Sequence, residues 1–250
     1  MDGTLFWIIG GSLAGGAVSV LLAATVAYRL LAGWVPRMVS YSVGVLLGVS
    51  FLDLLPEAFE RVGDAHALFA VVLGGILGFF LLEKAALWRH SHEDEDHGAR
   101  HPSGVLILAG DAVHNFVDGV LIAAAFLADF RLGLTTTIAV MVHEIPQEIG
   151  DFVVLLHAGY ARARALALNV AVSFASLGGA LVAYAVLEYA QSLVQYALPV
   201  AAACFIYVAV ADLIPHLHRH EHRRDLWWQV GLIALGVATI AGVGSWLHAD

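Results

Sequence analysis

The chain has 250 residues, 60% hydrophobic and 13% charged, with a formal net charge of -9. A soluble domain carries about 25% charged residues, so this composition points to an integral membrane protein. It argues against a nucleic-acid-binding module, since no basic face exists to neutralise phosphates, and one cysteine, Cys204, excludes an intramolecular disulfide or a thiolate metal cluster.

A membrane-crossing helix needs about 20 mostly apolar residues. Eight stretches qualify: roughly 5–32, 39–59, 66–88, 104–127, 132–157, 164–187, 193–214 and 227–247. The predicted fold is therefore all-α, with eight transmembrane helices in a single domain over residues 1–250. The first stretch has no basic residue before Arg29, so it reads as a retained membrane helix and not as a signal peptide. Gly10-Gly11, Gly15-Gly16, Gly74-Gly75 and Gly178-Gly179 offer places where helices approach closely. The second stretch ends FLDLLPEAFE and the seventh ends VADLIPHLHR, so Asp-Leu-x-Pro occurs at Asp53–Pro56 and again at Asp212–Pro215. Equivalent motifs at opposite membrane faces are what an inverted repeat produces, here in a 3+2+3 arrangement. Eight spans put both termini on one side. If that side is outside, the inside connections hold Arg29, Arg37, Lys84, Arg89, Arg100, Arg162, Arg164, Arg219, Arg223 and Arg224, and the outside ones only Arg61 and Arg131. That asymmetry matches the positive-inside pattern and predicts extracytoplasmic termini.

Spans four and five break the apolar pattern. The fourth contains GDAVHNFVDG, residues 110–119, and the fifth MVHEIPQEIGDF, residues 141–152. At about 100° per residue, Asp111, His114, Asn115 and Asp118 share one face. His143, Glu144, Gln147, Glu148 and Asp151 share another, and Val142, Ile145, Ile149 and Phe152 lie opposite them. An acidic side chain at mid-bilayer costs about 2.5–3.5 kcal/mol on insertion scales, so five of them require pairing, water or a bound cation. Imidazole and carboxylate together suit zinc, iron(II) and manganese(II). His114 with Asp118, and His143 with Gln147, are spaced i, i+4 and share a face, so two facing helices are able to converge on one ion. Pro146 deprives the Val142 carbonyl of its helical donor, which makes that oxygen a further candidate ligand or hinge element.

These two motifs resemble the fourth- and fifth-helix signatures of the ZIP (Zrt/Irt-like) family of divalent-metal transporters, in the branch with a HEIPxE fifth helix. Eight spans, outside termini and a histidine-rich third loop are similar too, so the resemblance covers essentially the whole chain. It implies transport of divalent transition-metal ions into the cytosol by alternating access. Zinc (Zn2+) is the first candidate as transported substrate, with iron(II), manganese(II) and cadmium as further ones. It implies a principal site of His114, Asp118, His143 and Gln147, and an adjacent site involving Asn115, Glu144 and shared residues. The family often has His or Glu where this chain has Gln147, and an amide is a weak, neutral ligand, with Glu148 next in line. The sixth span offers only Asn169 and Ser173 in place of the acid some members supply, so one occupied site is expected. Asp111, Glu148, Asp151, Asp53 and Asp212 are further ligand or relay candidates. By the same resemblance, helices one, four, five and six carry the site and move against a scaffold of two, three, seven and eight, in a homodimer within the lipid bilayer. The small size suggests a prokaryotic inner membrane.

Two cytoplasmic loops are rich in histidine. Residues 89–103 hold His90, His92, His97 and His101, and residues 216–225 hold His216, His218, His220 and His222. Imidazole's affinity for zinc makes both candidates for low-affinity capture of emerging metal. Two rival readings are an intramembrane zinc-dependent protease and a metal sensor that does not transport. HEIPQ begins like the zinc-protease motif H-E-x-x-H, but Gln147 replaces the second histidine and Pro146 interrupts the helix. The expectation is a transporter and not an enzyme.

Overall fold

Long apolar segments in a bilayer must satisfy every backbone amide internally, and the helix is the local solution. The computed structural model describes residues 3–29, 34–91, 102–218 and 226–247. Among these residues there are eight helices and no strand. They are α1 (3–29), α2 (Val35–Val62), α3 (Ala65–Ser91), α4 (Pro102–Ala128), α5 (Phe130–His157), α6 (Arg162–Tyr189), α7 (194–218) and α8 (Leu226–Leu247). Seven contain a stretch long and apolar enough to cross a membrane. The other, α5, is 28 residues long and carries the polar face. The chain is an all-α integral membrane protein.

The connections that orient the site are short and chemically specified. Gly63 ends α2 at φ 70, a left-handed conformation that glycine adopts without a Cβ penalty. Asp129 alone separates α4 from α5. Its carboxylate accepts from the amides of Arg131 at 2.8 Å and Leu132 at 3.2 Å, which caps α5 and forces the two polar helices to lie side by side.

The repeat seen in the sequence has a structural counterpart. Val49–Leu54 in α2 and Val208–Leu213 in α7 each widen into a π-helical turn just before the proline of Asp-Leu-x-Pro. Proline removes an amide donor, and a π-turn is one way a helix absorbs the misfit. α2 packs along α8, and α3 packs along α7. Exchanging the first three helices with the last three maps one pair onto the other, as an inverted repeat requires. α1, α4, α5 and α6 form one packed group and the other four a second, and they meet where α2 contacts α5 and α7 contacts α4.

The tightest crossing is α4 against α6. A Cβ on Gly119 would collide with the Ser176 carbonyl, and one on Gly179 with the Phe116 carbonyl. Of the glycine pairs, Gly11, Gly15, Gly16, Gly75 and Gly179 lie at such contacts, whereas Gly10, Gly74 and Gly178 face open space.

Candidate metal site

Because Asp129 caps α5 so soon after α4 ends, the two helices run antiparallel in contact and their polar faces meet. Four ligand-type atoms converge there: His114 Nε2, Asp118 Oδ2, His143 Nε2 and Glu144 Oε1. His143 Nε2 lies 3.1 Å from Asp118 Oδ2, 3.2 Å from His114 Nε2 and 3.6 Å from Glu144 Oε1. His114 Nε2 lies 3.3 Å from Glu144 Oε1 and 3.7 Å from Asp118 Oδ2. A tetrahedron with metal–ligand bonds of about 2.0–2.2 Å places its ligand atoms roughly 3.3–3.6 Å apart. The observed spacings bracket that edge length, so the four atoms are set for an ion of zinc's size.

The protonation pattern at His143 follows from its neighbours. Its Nδ1 is 2.9 Å from the Ala139 carbonyl. A carbonyl only accepts, so Nδ1 carries the proton and, in the neutral ring, Nε2 presents a lone pair to the cluster. That is how a metal-binding imidazole is usually oriented. Phe205 of α7 closes the other side of the ring, its centroid 6.0 Å from that of His143.

A second group adjoins the first along the same face. Asp111, Glu144 and Glu148 are buried and offer ligand oxygens within 4.8 Å of one another. Asn115 Nδ2 donates to Asp111 Oδ1 at 2.8 Å, and Asn169 of α6 reaches the Glu148 carbonyl at 3.5 Å. Asp111 Oδ2, Asn115 Oδ1, Glu144 Oε2, both Glu148 oxygens and Asn169 Oδ1 have no hydrogen-bond donor among the described residues. All are acceptors. Buried polar groups are nearly always paired, and carboxylates gathered without donors are neutralised either by a bound cation or by a proton.

Gln147 lines a cavity of about 480 Å³ with Asp111, His114, Asp151, Cys204 and Asp212. The cluster is reached from this side: the His114 side chain is 21% exposed, while those of Asp118, His143 and Glu144 are 2% or less. Towards the other end of the bundle, Ile122–Ala125 of α4 and Ala139–Val140 of α5 are buried and close the path. Asp53 lies beyond them, in a separate pocket of about 180 Å³ with Glu57, Glu60, Asp129 and Arg131. The site is thus open at the Asp212 end and shut at the Asp53 end.

The sequence profile described as ZIP Zinc transporter matches residues 87–244. The chain belongs to the ZIP family. Similar proteins include the zinc transporter ZIP13 of Pongo abelii, 32% identical over 220 residues, which are 82% of this chain and 65% of that one. The human zinc transporter ZIP10 is 37% identical over 141 residues (52% of this chain, 17% of that protein), and mouse ZIP4 is 46% identical over 132 (51% and 20%). The chain therefore spans about two thirds of the ZIP13 relative and about a fifth of the ZIP10 and ZIP4 proteins.

In this ZIP family member, the sequence predicts a principal site of His114, Asp118, His143 and Gln147 and an adjacent one involving Asn115 and Glu144; the structure brings His114, Asp118, His143 and Glu144 together, sets Asn115 against Asp111, and places Gln147 on the cavity wall. Spacing along the helix favours Gln147 as a partner of His143, and the fold also brings Glu144 to the cluster. The Val142 carbonyl, a candidate ligand once Pro146 left it free, accepts from Ser42 Oγ at 2.9 Å. Ser42, Ser176 and Phe205 are not signalled by the sequence, because a serine or phenylalanine within a membrane helix is common without any role in a site. The side chains of His90, His92, His97, His101, His216, His218, His220 and His222 lie outside the described residues.

Proposed function

We propose that the chain moves divalent transition-metal ions, zinc first, across the membrane through the α4–α5 cluster. The observation that carries this is the convergence of His114, Asp118, His143 and Glu144 at tetrahedral spacing, with His114 lining a cavity that opens at one end only. Names of the relatives support zinc as the substrate; iron(II), manganese(II) and cadmium suit the same donor set. The ion binds first between the two imidazoles and two carboxylates. Asp111, Glu144 and Glu148, with Asn115, form an adjoining station into which the same ion or a second one passes. Gln147, Asp151 and Asp212 line the path from there to the Asp212 end, and Asp53 receives the ion at the opposite mouth.

The positive-inside pattern supports placing the termini outside and the Asp212 end in the cytosol, and the present arrangement is then inward-open. Movement of the α1/α4/α5/α6 group against α2/α3/α7/α8 would open the Asp53 end. The histidine-rich loops 89–103 and 216–225 would meet the ion as it leaves. A homodimer and a prokaryotic inner membrane complete the proposal; the latter rests on the small size of the chain, and the relatives named above are animal proteins. No role for nucleic acid or for catalysis is included.

The test is uptake of radioactive zinc into proteoliposomes by wild type, His143→Ala and Asp118→Ala. Flux in wild type, lost in both variants, is expected. Flux retained in both would move the pathway elsewhere. Folded protein that carries neither zinc, iron(II) nor manganese(II) would support a sensor.

A further inference from the structure

Pro146 has no N–H, so the Val142 carbonyl one turn earlier has no regular donor within α5. An unpaired backbone carbonyl is strongly unfavourable in a bilayer. The missing donor comes from a different helix. Ser42 Oγ of α2 lies 2.9 Å from Val142 O, and also 2.9 Å from Met38 O of its own helix. Ser42 is fully buried. A hydroxyl has one proton and donates to one carbonyl at a time.

The position of this contact matters. Val142 directly precedes His143 and Glu144, two of the four converging ligands, and the His143 ring is itself tied to Ala139 O. Ser42 belongs to the α2/α3/α7/α8 group and Val142 to the other. We propose that Ser42 is a positioning residue for transport: its hydroxyl supplies the hydrogen bond that Pro146 withholds, and so ties the backbone bearing His143 and Glu144 to α2 while the Asp212 end is open. Met38 O gives the hydroxyl a second acceptor when α5 moves away. Separation therefore strands one carbonyl and never the serine, so the tie is reversible. The inference rests on the transport reading given above.

Cys204 is the sole cysteine of the chain and lines the open cavity. Its labelling by a small maleimide reports opening at the Asp212 end without any flux. Ser42→Ala should slow this labelling about two- to tenfold, the effect of losing one hydrogen bond. Pro146→Ala returns an N–H to Val142 O, so adding Ser42→Ala in that background should change labelling by less than about twofold, since the bond is then redundant. Ser42→Thr and Ser42→Val differ at the hydroxyl and hardly in shape. Thr should label like wild type and Val like Ser42→Ala, which tests the idea without altering Pro146. Equal slowing in both Pro146 backgrounds, or identical labelling of the Thr and Val variants, overturns the proposal. Failure of the transport reading has a separate signature: wild-type protein that labels normally and moves no zinc.

Discussion

Glu144 and Gln147 separate what helix spacing reveals from what packing decides. Both lie on the polar face of α5, and i, i+4 spacing pairs His143 with Gln147. Packing also brings Glu144 Oε1 to 3.3 Å from His114 Nε2, because the direction of α4 relative to α5 sets which side chains are carried to the centre, and it sets Gln147 on the wall of the cavity that His114 lines. That direction depends on the Asp129 cap and on the Gly119–Gly179 crossing, and neither is encoded in the spacing of polar residues. The His114/Asp118 pair was legible from the sequence because one helix holds both. Replacing a carboxylate that contacts the cluster removes charge as well as a ligand. We expect Glu144→Gln to weaken zinc binding on the order of a hundredfold, and Gln147→Ala by no more than about tenfold. Titration calorimetry on detergent-solubilised protein checks this; a larger loss for Gln147→Ala than for Glu144→Gln would return Gln147 to the centre.

At the scale of the helices, number and extent were readable, because apolar runs of bilayer length are hard to mistake for anything else. The Asp-Leu-x-Pro repeat was readable too, but its π-turns were not, since a widened turn adds no residue type of its own. The glycines were half readable. A Gly pair announces close packing without saying which member packs. The structure answers with Gly179 against α4 and Gly178 in open space. Gly119→Ala should therefore destabilise the fold by about 1–3 kcal/mol through overpacking, and Gly178→Ala should stay within about 0.5 kcal/mol of wild type. Thermal unfolding in one detergent compares them, and equal melting of the two variants would contradict the packing described for α4 and α6.

For the whole molecule, the fold gathers buried acidic side chains, several of whose oxygens have no hydrogen-bond partner among the described residues. Asp111, Asp118, Glu144 and Glu148 are all buried within the helix bundle, so mutual repulsion opposes ionising all four without a bound cation. A ligand that binds only the folded protein stabilises it by about 2.7 kcal/mol at a hundred times its dissociation constant. Zinc should accordingly raise the melting temperature of wild type and leave His143→Ala nearly unmoved. An equal rise in both would place the stabilising zinc away from the α4–α5 cluster.

The claim on which the rest depends is that the two imidazoles and two carboxylates together hold one ion. X-ray absorption at the zinc edge, on protein loaded with a single equivalent, reads that shell directly. Four nitrogen and oxygen ligands at about 2.0–2.1 Å are expected, with the outer-shell scattering of two imidazoles, one of which disappears in His143→Ala. A shell containing sulfur, or one with no imidazole in wild type, would contradict it.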